Sequence, residues 1–211
     1  MKSPILPLLF GLGLALGLPA ASAAGAAGAA GAAGAADTEG TQALPGQSLY
    51  HLDARLTDQH GTALQWADLR GQPQLVSMFY ANCHLMCPLI IENAKAVQKQ
   101  LPENLRARLG VAMISLDPAR DTPAALAEVG ARHRTPGEWR YLAPGSNDVR
   151  ALASVLDVRY RFREDGSINH TSVLVLLDAD GRPLARSEVA NAIPDPAFVS
   201  QVQAALAGAA P

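Results

Sequence analysis

Two cysteines, Cys83 and Cys87, are the only ones in 211 residues, and they stand three residues apart in Cys83-His84-Leu85-Met86-Cys87-Pro88. Positions i and i+4 share one face of a helix, one turn apart. Where such a pair lies at a strand-to-helix junction, the partial positive charge of the helix N-terminus favours thiolate over thiol, at Cys87 at least. Adjacent, readily ionised thiols have two uses: they exchange disulfides, or they hold a soft metal such as Cu(I). A disulfide between them closes a loop too short to remove much unfolded-chain entropy, so the pair reads as chemical rather than structural. The spacing still permits a disulfide, since Cα separations up to about 6.8 Å are tolerated. It also leaves room for both sulfurs to converge on a metal. Two thiolates alone are not a selective site, so a third donor is expected.

The elements around the pair supply the junction. Residues 74–80 (QLVSMFY) form a nearly continuous apolar run, the pattern of a buried strand, which ends in Ala81-Asn82-Cys83. From Pro88 the period turns helical, with Leu89, Ile90, Ala94, Val97 and Leu101 on one face and Glu92, Lys95 and Lys99 between them. Pro88 suits the first turn, where a missing N–H costs nothing. Residues 110–116 (GVAMISL) read as a second buried strand stopped by Asp117-Pro118, and Thr122-Pro123 caps and opens a helix running to about Arg132. A short strand follows at residues 140–142. Ser146 or Asn147 then caps a helix through Leu156, and residues 159–163 form a strand before a turn at residues 164–167. Residues 172–177 and 183–187 flank Asp178-Ala179-Asp180-Gly181, a hairpin pattern, and residues 194–205 form a closing helix. Upstream, residues 48–56 alternate like a strand. Strands alternating with helices predict an α/β domain, a central mixed sheet flanked by helices with an N-terminal β extension.

A buried strand that delivers a cysteine pair to a helix start resembles the way thioredoxin-type folds present their thiols. In such folds the segment facing the thiols carries a proline. Here the stretch before residues 172–177 has no proline and reads Asn169-His170-Thr171. A lone histidine is more often a surface or satisfied residue than a ligand, but this placement makes His170 the expected third donor.

YANCHLMCP, SLDPARDTP and NHTS together, in this order and spacing, resemble the Sco/SenC proteins over residues 48–207. The resemblance implies a thioredoxin-like fold with the histidine carried on a β-hairpin, and one copper, as Cu(I) and also Cu(II), held by Cys83, Cys87 and His170. It further implies assembly of the copper A centre of cytochrome c oxidase, with that centre's subunit or another periplasmic copper chaperone as partner. Asn169 departs from the aspartate common in the family, a change that bears on how the imidazole is oriented. Within the cysteine loop, His84 is read as facing solvent and Met86 as packing on the core, with auxiliary copper ligation as the alternative for both. Asp117, Arg120 and Asp121 suit either a charged lip for a partner or turn and capping chemistry. Trp66 and Trp139 are expected in the core, and His51, His60 and His133 at the surface.

Residues 1–23 join one charge, Lys2, to an apolar run and the small-residue site Ala21-Ser22-Ala23, as a secretory leader does. The expected location is therefore exported or periplasmic, with an uncleaved anchor in the inner membrane as the alternative. Residues 24–47, rich in Ala and Gly, read as a flexible linker. Residues 48–211 form the domain. With 17 Lys and Arg against 19 Asp and Glu and no basic stripe, a nucleic-acid partner is not indicated. No Gly-rich phosphate loop, Ser-His-Asp pattern or paired-carboxylate site stands out. Beside the metallochaperone stands an enzyme reading, a thiol-disulfide reductase with one cysteine as nucleophile and the other resolving. A peroxidase of peroxiredoxin type is disfavoured, because Tyr80-Ala81-Asn82-Cys83 lacks the threonine of that site.

Overall fold

The alternating extended and helical patterns resolve, in a computed structural model describing residues 43–208, into nine strands and five helices. In chain order these are β1 (Arg55–Asp58), β2 (Ala63–Gln65), β3 (Gln74–Phe79), α1 (Met86–Gln100), α2 (Glu103–Arg106), β4 (Gly110–Ser115) and α3 (Pro123–His133). There follow β5 (Arg140–Pro144), α4 (Val149–Val155), β6 (Tyr160–Phe162), β7 (Ile168–His170), β8 (Val173–Leu177), β9 (Pro183–Glu188) and α5 (Pro196–Gly208). The segments expected as leader and linker lie, but for residues 43–47, outside the described residues. Leu44, inside the segment expected as linker, packs against the core.

Seven strands make one sheet in the order β2-β1-β5-β4-β3-β8-β9. β3, β4 and β5 are parallel neighbours, and the remaining pairings are antiparallel, so the sheet is mixed as expected. Every residue of β3, β4 and β8 is buried, which is why these strands read as unbroken apolar runs instead of alternating. Helices α1 and α3 pack on the sheet and on each other, and α5 packs beside β9. Trp66 and Trp139 are both in the core. Thr122 caps α3, its hydroxyl accepting the Ala125 N–H at 3.3 Å, with Pro123 at the first helical position.

Three local expectations are corrected. Residues 48–56 are not one strand: Leu49–His51 is a 3₁₀ turn, and only Arg55–Asp58 pairs in the sheet. Ser48 caps that turn, and the Trp66 indole donates to the Leu49 carbonyl at 2.9 Å while its ring meets Tyr50 edge-on. The alternation therefore came from a turn wrapped on Trp66. Helix α4 starts after Asp148, not Ser146 or Asn147, and the Asp148 carboxylate accepts the Arg55 N–H at 3.0 Å instead of capping its own helix.

The third correction concerns the histidine. The hairpin read from residues 172–177 and 183–187 is β8–β9, inside the main sheet. His170 is carried by a different hairpin, a separate ribbon of β6 and β7 in which Tyr160 lies opposite His170 and Phe162 opposite Ile168.

The β8–β9 turn needs its glycine. Gly181 has φ +83°, and a Cβ there would sit 2.7 Å from Cγ of the buried Tyr50 ring. Both the left-handed backbone and the close ring oppose a side chain. Gly181→Ala is expected to cost about 2 kcal/mol or more of stability, read as a lowered thermal midpoint. An unchanged midpoint would show that Tyr50 yields freely.

Candidate metal centre

The backbone leaves β3 at Phe79 and turns at once, the Cys83 N–H donating to the Tyr80 carbonyl at 3.2 Å. Helix α1 opens without a capping oxygen, because Leu85 precedes it. A sulfur serves instead: the Cys87 N–H, one of the first-turn amides with no partner inside the helix, donates to Cys83 Sγ at 3.2 Å. Both cysteines are buried and neither is in a disulfide.

Their environments separate them. The Cys83 thiol is lowered to about 4, chiefly by the hydrogen bond from the Cys87 thiol, with the backbone amides of Cys87 and Leu85 and the Tyr80 side chain assisting. Cys87 is pushed far up by burial and by the neighbouring Cys83 thiolate. Ionisation is thus favoured at Cys83 rather than at Cys87, where the helix end alone pointed, because Cys83 collects the amide donors while Cys87 is the more buried.

His170 Nε2 lies 3.6 Å from Cys87 Sγ, and its Nδ1 lies 3.1 Å from the Thr171 carbonyl oxygen. A carbonyl only accepts, so Nδ1 carries the proton and Nε2 offers its lone pair toward the thiol. Burial lowers the pKa of His170, favouring neutral imidazole. The Tyr80 ring meets the imidazole edge-on at 6.1 Å between centroids. Asn169 is exposed, and alternation along β7 turns it to the other ribbon face. The Thr171 carbonyl therefore orients the imidazole, and the missing aspartate is not needed for that.

The donor set fits a soft cation. One proton, on Cys87, stands among two lone-pair donors, the Cys83 thiolate and His170 Nε2. A metal taking that proton's place gains two sulfurs and a nitrogen. The 3.6 Å between sulfur and nitrogen matches the about 3.6–3.8 Å expected when one metal binds both at about 2.0–2.3 Å, the lengths of the zinc case. No finished cage of three or more His, Cys, Asp or Glu side chains stands among the described residues. The Cys87–His170 approach is in place, and Cys83 Sγ lies against the Cys87 amide. A surface groove of about 640 Å³ between the β1–β2 hairpin and the start of α3 is lined by none of the three.

Asp117 and Asp121 are buried and Arg120 is exposed, and all three serve turn chemistry beside the cysteine loop. The Asp121 carboxylate, 2% exposed, accepts the Ala81 N–H at 3.1 Å and the Ser115 hydroxyl at 2.6 Å, fixing the approach to Cys83. Burial raises the Asp121 pKa against those hydrogen bonds. Arg120 pairs with Asp117 and donates to the Gly166 carbonyl at 2.8 Å. His84 is exposed and Met86 half-buried. His51 and His60 are exposed as expected. His133 is not a free surface residue: it is half-buried, 3.2 Å from Glu92, and helps join α3 to α1. Sequence reasoning passed over Tyr80, Ser115 and Thr171. Tyr80 and Thr171 lie within three residues of a donor, and Ser115 becomes a neighbour only when β3 and β4 pair.

The SCO1/SenC family model matches residues 44–206, more than three quarters of the chain. The chain belongs to the SCO1/SenC family. A SCO1 protein homolog of Bacillus subtilis (strain 168) is 25% identical over 153 residues, covering 70% of this chain and 78% of that protein. A SCO2-like protein of Rickettsia felis is 27% identical over 138 residues, covering 63% of this chain and 66% of its own length. The match spans 63% of a Stutzerimonas stutzeri relative, under two thirds of its length. Among solved structures, yeast Sco1 with copper bound superposes with TM-score 0.63 at 18% identity, over 76% of this chain and 90% of that one. That likeness carries the SCO1/SenC fold, a thioredoxin-like sheet flanked by helices, onto this chain.

Proposed function

We propose that this SCO1/SenC protein is a copper metallochaperone, binding one copper as cargo through Cys83, Cys87 and His170. The observation that carries the reading is the 3.6 Å approach of His170 Nε2 to Cys87 Sγ, beside a Cys83 whose ionisation its amide donors favour. Thiolates select Cu(I), and the imidazole also accommodates Cu(II). Binding displaces the Cys87 proton, so affinity falls as pH falls. The donors lie on the loop after β3, the first turn of α1 and the β6–β7 ribbon, and Leu85 between the cysteines is 75% exposed, which marks the side from which a partner's ligands would approach. Transfer then proceeds by ligand exchange. Following the family resemblance, the recipient is the copper A subunit of cytochrome c oxidase or another copper chaperone, in the periplasm, with the N-terminal segment as leader or tether.

The test is a Cu(I) titration of the reduced chain against a competing chelator, for wild type and His170→Ala. One tight copper, much weakened in the variant, supports the three-donor site. No copper above the chelator background removes the reading.

One observation favours a second reading. An ionised Cys83 backed by a buried, protonated Cys87 is also the arrangement of a nucleophilic and a resolving thiol. Cys83 attacks one sulfur of a target disulfide and releases the other. Cys87, losing its proton, then attacks Cys83 and frees the target as a dithiol. The two electrons come from the pair, which an external thiol donor must restore. The copper titration separates the readings.

A further inference from the structure

The two halves of the site come from parts of the chain more than eighty residues apart, and one five-residue turn touches both. The turn after β4 carries Asp117, Arg120 and Asp121. Asp121 holds the cysteine side, through the Ala81 N–H at 3.1 Å. Arg120 holds the histidine side: its guanidinium pairs with the buried Asp117 carboxylate and donates to the Gly166 carbonyl at 2.8 Å, in the turn of the ribbon that bears His170.

That ribbon needs an external hold. It consists of two three-residue strands set apart from the main sheet, and an isolated two-stranded hairpin is marginal in water. Its base is closed by Thr171 N–H to the Arg159 carbonyl, at 2.9 Å. Midway, buried Ile168 meets the Tyr80 hydroxyl through its backbone. At the tip, Gly166 has φ +77°, and its carbonyl accepts from Arg120. A guanidinium can bond two acceptors in different directions at once, which a lysine ammonium does with far less definition. Tilting the ribbon about its base would swing His170 away from Cys87.

We propose that Arg120 is a positioning residue of the metal site, tying the ribbon, and through it His170, to the loop that presents Cys83. The proposal rests on His170 being a copper donor. Arg120 itself is half exposed and touches none of the three donors in the described hydrogen bonds, so its effect passes through the ribbon.

The experiment is a double-mutant cycle on the full chain, Arg120→Ala with His170→Ala, reading Cu(I) affinity by chelator competition. Arg120→Ala is expected to weaken binding about tenfold when His170 is present, the usual cost of losing an outer partner of a ligand, and less than about twofold when His170 is already alanine. Arg120→Lys should restore little of the loss, since it keeps the charge but not the fork. In the metal-free chain, exchange of the Thr171 and Arg163 amides should quicken in Arg120→Ala more than any overall loss of stability from unpairing the buried Asp117 carboxylate accounts for, while β3 amides stay near wild type. Equal weakening in both histidine backgrounds, full rescue by lysine, or unaltered ribbon exchange each overturns the proposal. If His170→Ala alone leaves Cu(I) binding intact, the donor assignment falls and this proposal with it. If His170→Ala weakens binding and Arg120→Ala does not, only the positioning role falls.

Discussion

His170→Ala is expected to weaken Cu(I) binding about 100-fold, the upper end of what losing even an outer-shell partner costs, because here a direct donor goes. That corresponds to about 2.7 kcal/mol. Binding should not vanish, since two thiolate sulfurs still suit soft Cu(I). Cu(II), which favours nitrogen and oxygen donors, should suffer more. The imidazole makes one hydrogen bond to its neighbour's carbonyl and one edge contact with Tyr80, so its removal should leave the fold in place. Reduction of insulin disulfides, which needs only the thiol pair, should continue nearly unchanged in the variant. Parallel loss of copper binding and reductase activity would falsify the assignment of His170 as a donor.

The second large effect is on thiol reactivity against pH. An ordinary thiol titrates near 9.0, whereas Cys83 is held at about 4. Between pH 5.5 and 8 an ordinary thiol gains roughly 300-fold in thiolate, about tenfold per unit. Cys83 is ionised throughout, so its alkylation rate should change less than about threefold over that range. The absolute rate is the poorer diagnostic: a thiolate of low pKa is intrinsically less nucleophilic, with β about 0.4–0.5, which offsets most of its abundance at pH 6. Cys83→Ser should abolish the flat phase, leaving only buried Cys87. A profile that climbs tenfold per unit would show that Cys83 is an ordinary thiol. Stability should follow the same shift. Because the unfolded chain holds the Cys83 proton up to about pH 9 and the folded chain releases it near 4, stability from this group is fully present above the unfolded value. It is lost as pH falls through that window. Cys87, raised in the fold, acts oppositely and only above its unfolded value, so the pH 4–9 slope that disappears in Cys83→Ser belongs to Cys83.

Much of this molecule is legible in one dimension because its informative patterns are local. Apolar runs at residues 74–79, 110–115 and 173–177 announce strands buried on both faces, and Thr122-Pro123 announces a helix start by chemistry that needs no distant partner. The cysteine pair, its place at a strand-to-helix junction, and the expectation that His170 faces it are likewise carried by residue type, spacing and order. Residues 48–56 show where this fails. The Trp66 side chain took over a segment whose alternation looked like a strand, and no local pattern records a packing partner 16 residues away.

What the tertiary structure alone decided is which atoms face which. Sequence could place two thiols together, but not that Cys83 gathers the amide hydrogens and becomes the thiolate while Cys87 is buried with its proton. Nor could it show that β7 exists, that the Thr171 carbonyl and not residue 169 orients His170, or that Arg120 reaches Gly166 across 46 residues. Ionisation and orientation depend on burial and on hydrogen bonds over a few ångströms, and those distances are set only when β3, β4 and the ribbon come together.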